Sequence, residues 1–376
     1  IVSRDWSSDV CSSDLVIYFK SRGVQFIMSK VVRVAVVGYG GMGGWHTKRL
    51  QEIPGVVELA GVYDIKPERN KAAEENGIHA YSSFEELLAD KTVDVVTVAI
   101  PNDQHKKVCI QVMEAGKVAI SEKPVTLCTA DLEEMIAASK RTGSVFTVHQ
   151  NRRWDEDFRV AEKIAKSGQL GRVFAIQSRV HGSRGIPGDW RNTKAQGGGM
   201  VLDWGVHLLD QMNMMMGKMP VSVYATLSNV TNEEVDDGFT ATFKFDNDLV
   251  FTVEVGTSNF INLPRWYVEG LNGTAVIDDF QVNGKIVIAT ADEEHDAVPI
   301  VTAAGLTKTM APRTPETISE LPLPRIDCDI HDYYRNIAAV VNGEAEQIVT
   351  HDQQRQLMKL MEAIFESAEK NQVVYF

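Results

Sequence analysis

Asp203 and His207 are spaced by four within residues 198–216, a stretch of helical pattern opened by Gly197, Gly198 and Gly199, so both side chains fall on one face, one turn apart. That arrangement can do proton chemistry. Imidazole is the usual general base near neutral pH, and an adjoining carboxylate would raise its affinity for a proton taken from a hydroxyl. The same spacing also serves a plain helix-surface contact or part of a metal site. No Cys, His or Asp/Glu cluster has recognisable zinc-site spacing, so no metal is expected, with ligands distant in sequence left open. Asp210 lies near the same face and could support the pair, while Met212, Met214, Met215 and Met216 read as packing.

Lys123 is a further chemical candidate. It stands in Glu122-Lys123-Pro124 at the end of an apolar run, where an ammonium could hydrogen-bond a reacting hydroxyl and stabilise the charge developing on its oxygen. An exposed lysine before a turn proline explains the tripeptide, taken alone, more simply. A glycine turn supplies the context: the apolar residues 31–37 stop at Gly38-x-Gly40-x-x-Gly43 and give way to a helical pattern. The first glycine permits the tight turn and the second lets a pyrophosphate approach the backbone. The third lets the helix pack on the strand while its N-terminus, at Gly41 and Met42, faces the phosphates.

Asp64 ends the next apolar run, twenty-one residues after Gly43. An acidic side chain there accepts hydrogen bonds from the adenosine ribose and repels the extra phosphate of NADP. NAD is the expected cofactor, with NADP kept open because Lys66 and Arg69 could turn toward a phosphate. The loop Ile100-Pro101-Asn102-Asp103-Gln104-His105 follows another apolar run. Asn102 and His105 could cap and cover the next helix, or line the nicotinamide end of the cofactor beside Pro101, Glu122 and Lys123. Arg153, Arg184, Trp190 and Arg191 lead toward the 203–207 pair and are candidates for binding substrate, with ordinary surface roles as the alternative.

The elements that must position these residues change character near residue 150. Residues 30–150 alternate short apolar runs with helical stretches, as a parallel sheet with crossover helices does; Thr129 is the expected N-cap of one helix and Gly143 its stop. Beyond residue 151, Phe239, Ala241, Phe243 and Phe245, and then Phe251, Val253 and Val255, alternate with polar residues, which predicts an antiparallel sheet apolar on one face. Two closing helices are expected over 330–341 and 352–370. The fold class is therefore α/β, with a dinucleotide-binding domain over 28–150 and a second domain with an open-faced, mostly antiparallel sheet over 151–376. Residues 1–27 lack periodicity and a secretory-signal order; they read as a non-native extension ahead of Met28, the alternative being a genuine segment that docks on the body.

A net charge of -13 argues against nucleic acid or an anionic membrane as partner. The four cysteines are scattered without paired spacing, which suits a reducing, cytoplasmic setting.

Taken in order, Gly-x-Gly-x-x-Gly, Pro-Asn-x-x-His, Glu-Lys-Pro and Asp-x-x-x-His resemble the motifs of the glucose-fructose oxidoreductase, inositol dehydrogenase and MocA family, across essentially residues 30–376. The resemblance implies a Rossmann domain and an open-faced α/β domain that binds substrate and mediates assembly into a homodimer or homotetramer. It implies NAD(P)-dependent oxidation of a secondary hydroxyl of a sugar, sugar derivative or inositol, with Lys123, Asp203 and His207 in the catalytic positions. On this reading His207 takes the proton, Asp203 orients His207 and Lys123 polarises the oxygen. Two other activities stay open: a glycosidase that oxidises its sugar transiently, and a sensor that binds nucleotide without chemistry. Retention of base, carboxylate and lysine together argues against the sensor.

Overall fold

The first sheet orders its strands β2-β1-β3-β4-β5, all parallel. Its strands are β1 (Val32–Val37), β2 (Val57–Tyr63), β3 (Val95–Val98), β4 (Val118–Ser121) and β5 (Phe146–Val148), connected through α1 (Gly41–Gln51), α2 (Pro67–Glu75), α3 (Phe84–Ala89), α4 (His105–Glu114) and α5 (Thr129–Thr142). The central strand β1 is apolar almost throughout because helices cover both faces, the condition that gives parallel sheets continuous valine runs. Gly38, the loop after β3, Glu122 and His149 all follow the carboxyl ends of strands, the edge at which open α/β sheets bind ligands. These coordinates are a computed structural model that describes residues 30–292 and 298–376; the extension 1–27 lies outside the described residues.

The second sheet has nine strands in the order β15-β12-β11-β10-β6-β9-β8-β7-β16. They are β6 (Val173–His181), β7 (Ser222–Ser228), β8 (Gly238–Lys244), β9 (Val250–Gly256), β10 (Trp266–Gly270), β11 (Gly273–Ile277), β12 (Gly284–Ala289), β15 (Ile318–Leu321) and β16 (Val374–Tyr375); β13 (Ile300–Thr302) and β14 (Gly305–Thr307) pair separately. Alternation holds as expected: Phe239, Ala241, Phe243, Phe251, Val253 and Val255 are buried, and Thr240, Thr242 and Lys244 are exposed. The pairing is antiparallel except at β6 and β9, which run parallel in the middle of the sheet. Helices α6 (Glu156–Lys166) and α7 (Val206–Met216), with α9 (His351–Lys370), cover the apolar face.

The chain then returns to the first sheet. In α8 (Asp332–Val341), the Tyr334 hydroxyl lies 3.1 Å from Thr97 Oγ1 of β3, and Thr147 Oγ1 of β5 donates to Val349 O at 3.2 Å. Thr129 is not the cap: α5 begins at Thr129 with Cys128 in the N-cap position, and the Thr129 hydroxyl and N–H both donate to Glu362 of α9 at 2.7 Å. Gly143, at φ 72°, does end α5.

Arg153 turns out to be a structural fastener and not a substrate contact. Its guanidinium is buried, donates to both Asp210 oxygens at 2.7 and 2.6 Å, and gives Nη1 to Ile348 O and Gln353 Oε1 at 3.0 Å. Four of its five N–H donors are spent on those bonds, and Asp210, expected to support the Asp203–His207 pair, is occupied by the same contact. Removing one partner of such a pair strands the other charge in the interior. Arg153→Met is therefore expected to destabilise the fold by about 3–5 kcal/mol in denaturant titration while changing KM for substrate little; a mainly kinetic effect would return Arg153 to the substrate site.

Candidate active site

The glycine turn is shaped by clearance. Gly38 has φ +92°, and a Cβ there would stand 2.2 Å from Ala99 O; a Cβ on Gly43 would stand 1.9 Å from Gly38 O. Both are held to glycine by the protein's own backbone. Gly40 differs: its φ is -85°, and a Cβ would meet nothing within 4 Å. It is the N-cap of α1 but supplies no side-chain acceptor, and the helix carries no acidic residue in its first turn. The N–H groups of Gly41, Met42 and Gly43 consequently have no acceptor within the helix, and a Cβ on Gly40 or Gly41 would meet nothing within 4 Å. Uncapped donors, helix dipole and clearance together fit a dinucleotide pyrophosphate.

Asp64 is fixed beside this turn. Its carboxylate accepts from the Tyr39 N–H at 2.7 Å and the Lys66 N–H at 2.9 Å, and Asn70 brackets its backbone N–H and carbonyl at 2.8 Å. Lys66 and Arg69 are exposed.

The loop after β3 contributes differently from expectation. Pro101 is exposed, but Asn102 is buried and donates to Gly197 O at 3.1 Å, tying this loop to the glycines that precede Asp203. His105 is wholly buried, with Nδ1 3.0 Å from Pro124 O and Nε2 3.0 Å from Ile100 O. It holds two loops together and does not reach the cofactor face. The Glu122 side chain likewise points inward: Oε1 accepts from His46 Nε2 at 2.9 Å and His149 Nδ1 at 2.8 Å, and Oε2 from the Lys123 N–H at 3.0 Å. His46, Glu122 and His149 are metal-ligand types brought together from distant parts of the sequence. Separations of 2.8 and 2.9 Å suit two N–H donors sharing one oxygen and are shorter than the edge of a tetrahedral zinc shell.

Spacing paired Asp203 with His207, but in the structure Asp203 meets Lys123 instead. Residues Val201–Gly205 form a wide π-helical turn ahead of α7, which takes Asp203 out of the register that a regular helix would give it against His207. Lys123 Nζ donates to Asp203 Oδ1 at 3.1 Å and to Asp203 O at 2.9 Å, and Arg191 Nε donates to Asp203 Oδ2 at 3.0 Å. Asp203 thus positions Lys123 and Arg191; it does not orient His207, whose Nδ1 is buried with no partner among the described residues. Of the remaining substrate candidates, Trp190 is half-buried under the Arg191 guanidinium, 4.6 Å from its ring, and Arg184 is exposed after β6.

Sequence reasoning passed over Arg152 and Trp204. Arg152 stacks 4.2 Å above the Trp204 ring, which meets His207 edge-on at 6.0 Å, and donates to Asp155 at 2.8 Å. The position of Trp204 between Asp203 and His207 was the available signal.

Burial and then the charges of Lys123 and Arg152 hold the His207 imidazole well below its ordinary range, so it is neutral at working pH. Burial pushes the Asp203 carboxyl up, but Lys123 and Arg191 outweigh it and keep the group below the usual carboxylate value. The same contest at Glu122 is won by His149 and His46.

Residues 32–150 match the model of an oxidoreductase family with an NAD-binding Rossmann fold, and residues 158–276 match the GFO/IDH/MocA C-terminal domain. An NAD-binding protein from Listeria innocua, known by crystal structure, is 46% identical, with TM-score 0.89 over 92% of this chain and 100% of its own. The chain belongs to the Gfo/Idh/MocA family. An oxidoreductase of Escherichia coli, YdgJ, is 29% identical over 91% of this chain and 97% of its own length, and a Bacillus subtilis protein named scyllo-inositol 2-dehydrogenase (NADP(+)) is 24% identical over 91% and 95%. As a member the protein is an NAD(P)-dependent oxidoreductase of CH–OH groups with an NAD-binding Rossmann domain. Among the described residues no helix is long and apolar enough to cross a membrane.

The two glycine environments separate folding from cofactor binding. Gly40→Ala is expected to leave the thermal midpoint of the ligand-free protein nearly unchanged and to weaken NADH binding at least tenfold by fluorescence titration. Gly43→Ala should lower stability itself, by about 1–3 kcal/mol, since helix and strand must part to admit the methyl group. Equal effects of both on the ligand-free protein would contradict this assignment.

Proposed function

We propose that the protein oxidises a secondary hydroxyl of a sugar, sugar derivative or inositol, with NAD preferred over NADP, and that Lys123 and His207 carry the chemistry. The observations that support this most directly are a buried His207 imidazole whose Nδ1 has no partner among the described residues and which the charge of Lys123 helps to keep neutral, and the hold of Asp203 on that ammonium. His207 takes the hydroxyl proton, and Lys123 donates to the same oxygen as negative charge develops on it. When bound, nicotinamide supplies the hydride acceptor. Asp203 acts by holding Lys123, and Arg191 and Trp190 border the space a polyol would enter.

Cofactor preference rests on Asp64, fixed at the end of β2 with exposed Lys66 and Arg69 nearby, so a bias toward NAD is expected and not total exclusion of NADP. Inositols are the first substrates to test, because relatives from Bacillus subtilis and Thermotoga maritima carry inositol dehydrogenase names. The exposed face of the second sheet offers a surface for a homodimer or homotetramer, and the free thiols Cys109, Cys128 and Cys328 accord with the cytoplasm.

A screen of inositols, sugars and aryl glycosides with NAD and NADP, following NADH absorbance and aglycone release together, tests the reading. Net reduction that falls by orders of magnitude in Lys123→Ala and His207→Ala supports it. Aglycone release without net reduction selects the glycosidase, and nucleotide binding without either reaction selects the sensor.

The pH dependence follows from the sign of the His207 perturbation. Protonation of His207 removes the base, so kcat/KM should fall only as pH drops well below the ordinary imidazole value of 6.5. Arg152→Gln withdraws a cation that depresses this group and should move the acidic limb to higher pH. A limb that moves to lower pH, or stays fixed, would remove Arg152 from the electrostatics of the base.

A further inference from the structure

Glu122 is an ionisable group that the reaction as described leaves unused. It is buried, yet it accepts three N–H donors: His46 Nε2, His149 Nδ1 and the Lys123 backbone. The tautomers follow from the chain of bonds. His46 spends its Nε2 proton on Glu122, so its Nδ1 accepts from the Tyr334 hydroxyl at 2.8 Å, and Thr97 Oγ1, 3.1 Å away, donates to Tyr334. Four elements of the fold, α1, β3, β5 and α8, thereby converge on a carboxylate at the end of β4. Acceptor-only geometry of this kind stabilises the ionised form.

The charges around His207 supply the reason for such a clamp. Lys123 and Arg152 both oppose protonation of His207, as does His149, and Asp203 is committed to Lys123 and Arg191. Glu122 works in the opposite direction. We propose that Glu122 is a positioning residue of the active site, a permanently buried anion clamped by His46, His149 and the Lys123 N–H, which offsets the cations around His207 and sustains its capacity to accept the hydroxyl proton. The proposal rests on His207 being the base, and it gives Glu122 the electrostatic part that spacing had suggested for Asp203. Its hydrogen bonds face the interior and not the cofactor.

The direct readout is the titration of His207 followed by NMR of ring-labelled histidine in the full-length chain, assigned by its loss in His207→Asn. Lys123→Met removes one depressing charge and raises the His207 midpoint into an accessible range. In that background Glu122→Gln, which keeps an oxygen to accept from His46 and His149 but removes the charge, is expected to lower the midpoint by about one pH unit. Glu122→Asp, which keeps the charge, should shift it by much less. An unchanged or higher midpoint in Glu122→Gln, or equal shifts in the Gln and Asp variants, would overturn the proposal. Should the Gln variant not fold, the carboxylate resonance of Glu122, assigned by its absence in Glu122→Asp, decides the matter in the wild type. It should stay at its ionised position from pH 8 to below pH 5, and titration within that range would overturn the proposal. Failure of the base assignment is distinguishable, because it appears as turnover surviving in His207→Asn while the Glu122 effect on the His207 titration is read independently.

Discussion

The contact between Lys123 and Asp203 is the constraint on which the site depends. Lys123 stands at the carboxyl end of a strand in the first sheet and Asp203 in the wide turn before α7, eighty residues later, so this bond registers one half of the molecule against the other. An ammonium bonded to both the carboxylate and the carbonyl of one residue has little freedom to swing. For the proposed role of Lys123 that immobility matters, because a displacement of about 1 Å between reacting groups can cost about a hundredfold in rate. Arg191, on the second oxygen of Asp203, keeps the carboxylate from rotating away.

Buried charge recurs throughout the same region, always with a partner. Arg153 is clasped by Asp210, and Arg265 lies 3.1 Å from Asp157, which also accepts from the Trp266 indole at 2.8 Å. Pairs of this kind add little net stability over apolar packing, since each ion must first be desolvated, but they penalise any arrangement that separates them. Around Lys123 and His207 they fix α7 against the segment after β5 and against α9, so both side chains sit on rigid supports. The charges that matter chemically are thus surrounded by charges whose function is placement.

Much of this was legible in the sequence because it is written in local spacing. The glycine turn, Glu-Lys-Pro and Asp-x-x-x-His each declare themselves within six residues, and two-residue alternation announced the second sheet. What was not legible depends on contacts made across hundreds of residues. Arg153 looked like a ligand contact because nothing near it in sequence discloses Asp210, Ile348 or Gln353 as partners. His105 and Glu122 were placed at the cofactor for the same reason: their loops are at the right edge, but their side chains turn inward to partners from other elements. The π-helical turn was invisible for a different reason, since its geometry is an irregularity in a pattern that otherwise reads as one continuous helix.

That irregularity also explains why the carboxylate nearest His207 in sequence is not its partner. A regular helix would stack Asp203 on His207 and leave Lys123 without an anion at the strand end. The wide turn instead directs Asp203 at Lys123 and leaves His207 Nδ1 buried and without a partner among the described residues beside Trp204. A base stripped of its carboxylate and flanked by two cations holds protons weakly, which keeps it ready to accept one but limits how firmly it can hold it. Compensation then has to come from an anion that cannot be neutralised by solvent or recruited by Lys123 Nζ. Glu122 meets both conditions, being buried and already committed through three N–H donors to the interior. On the proposed reading, positioning of the ammonium and support of the base are separate tasks, carried by two carboxylates that the sequence sets eighty-one residues apart.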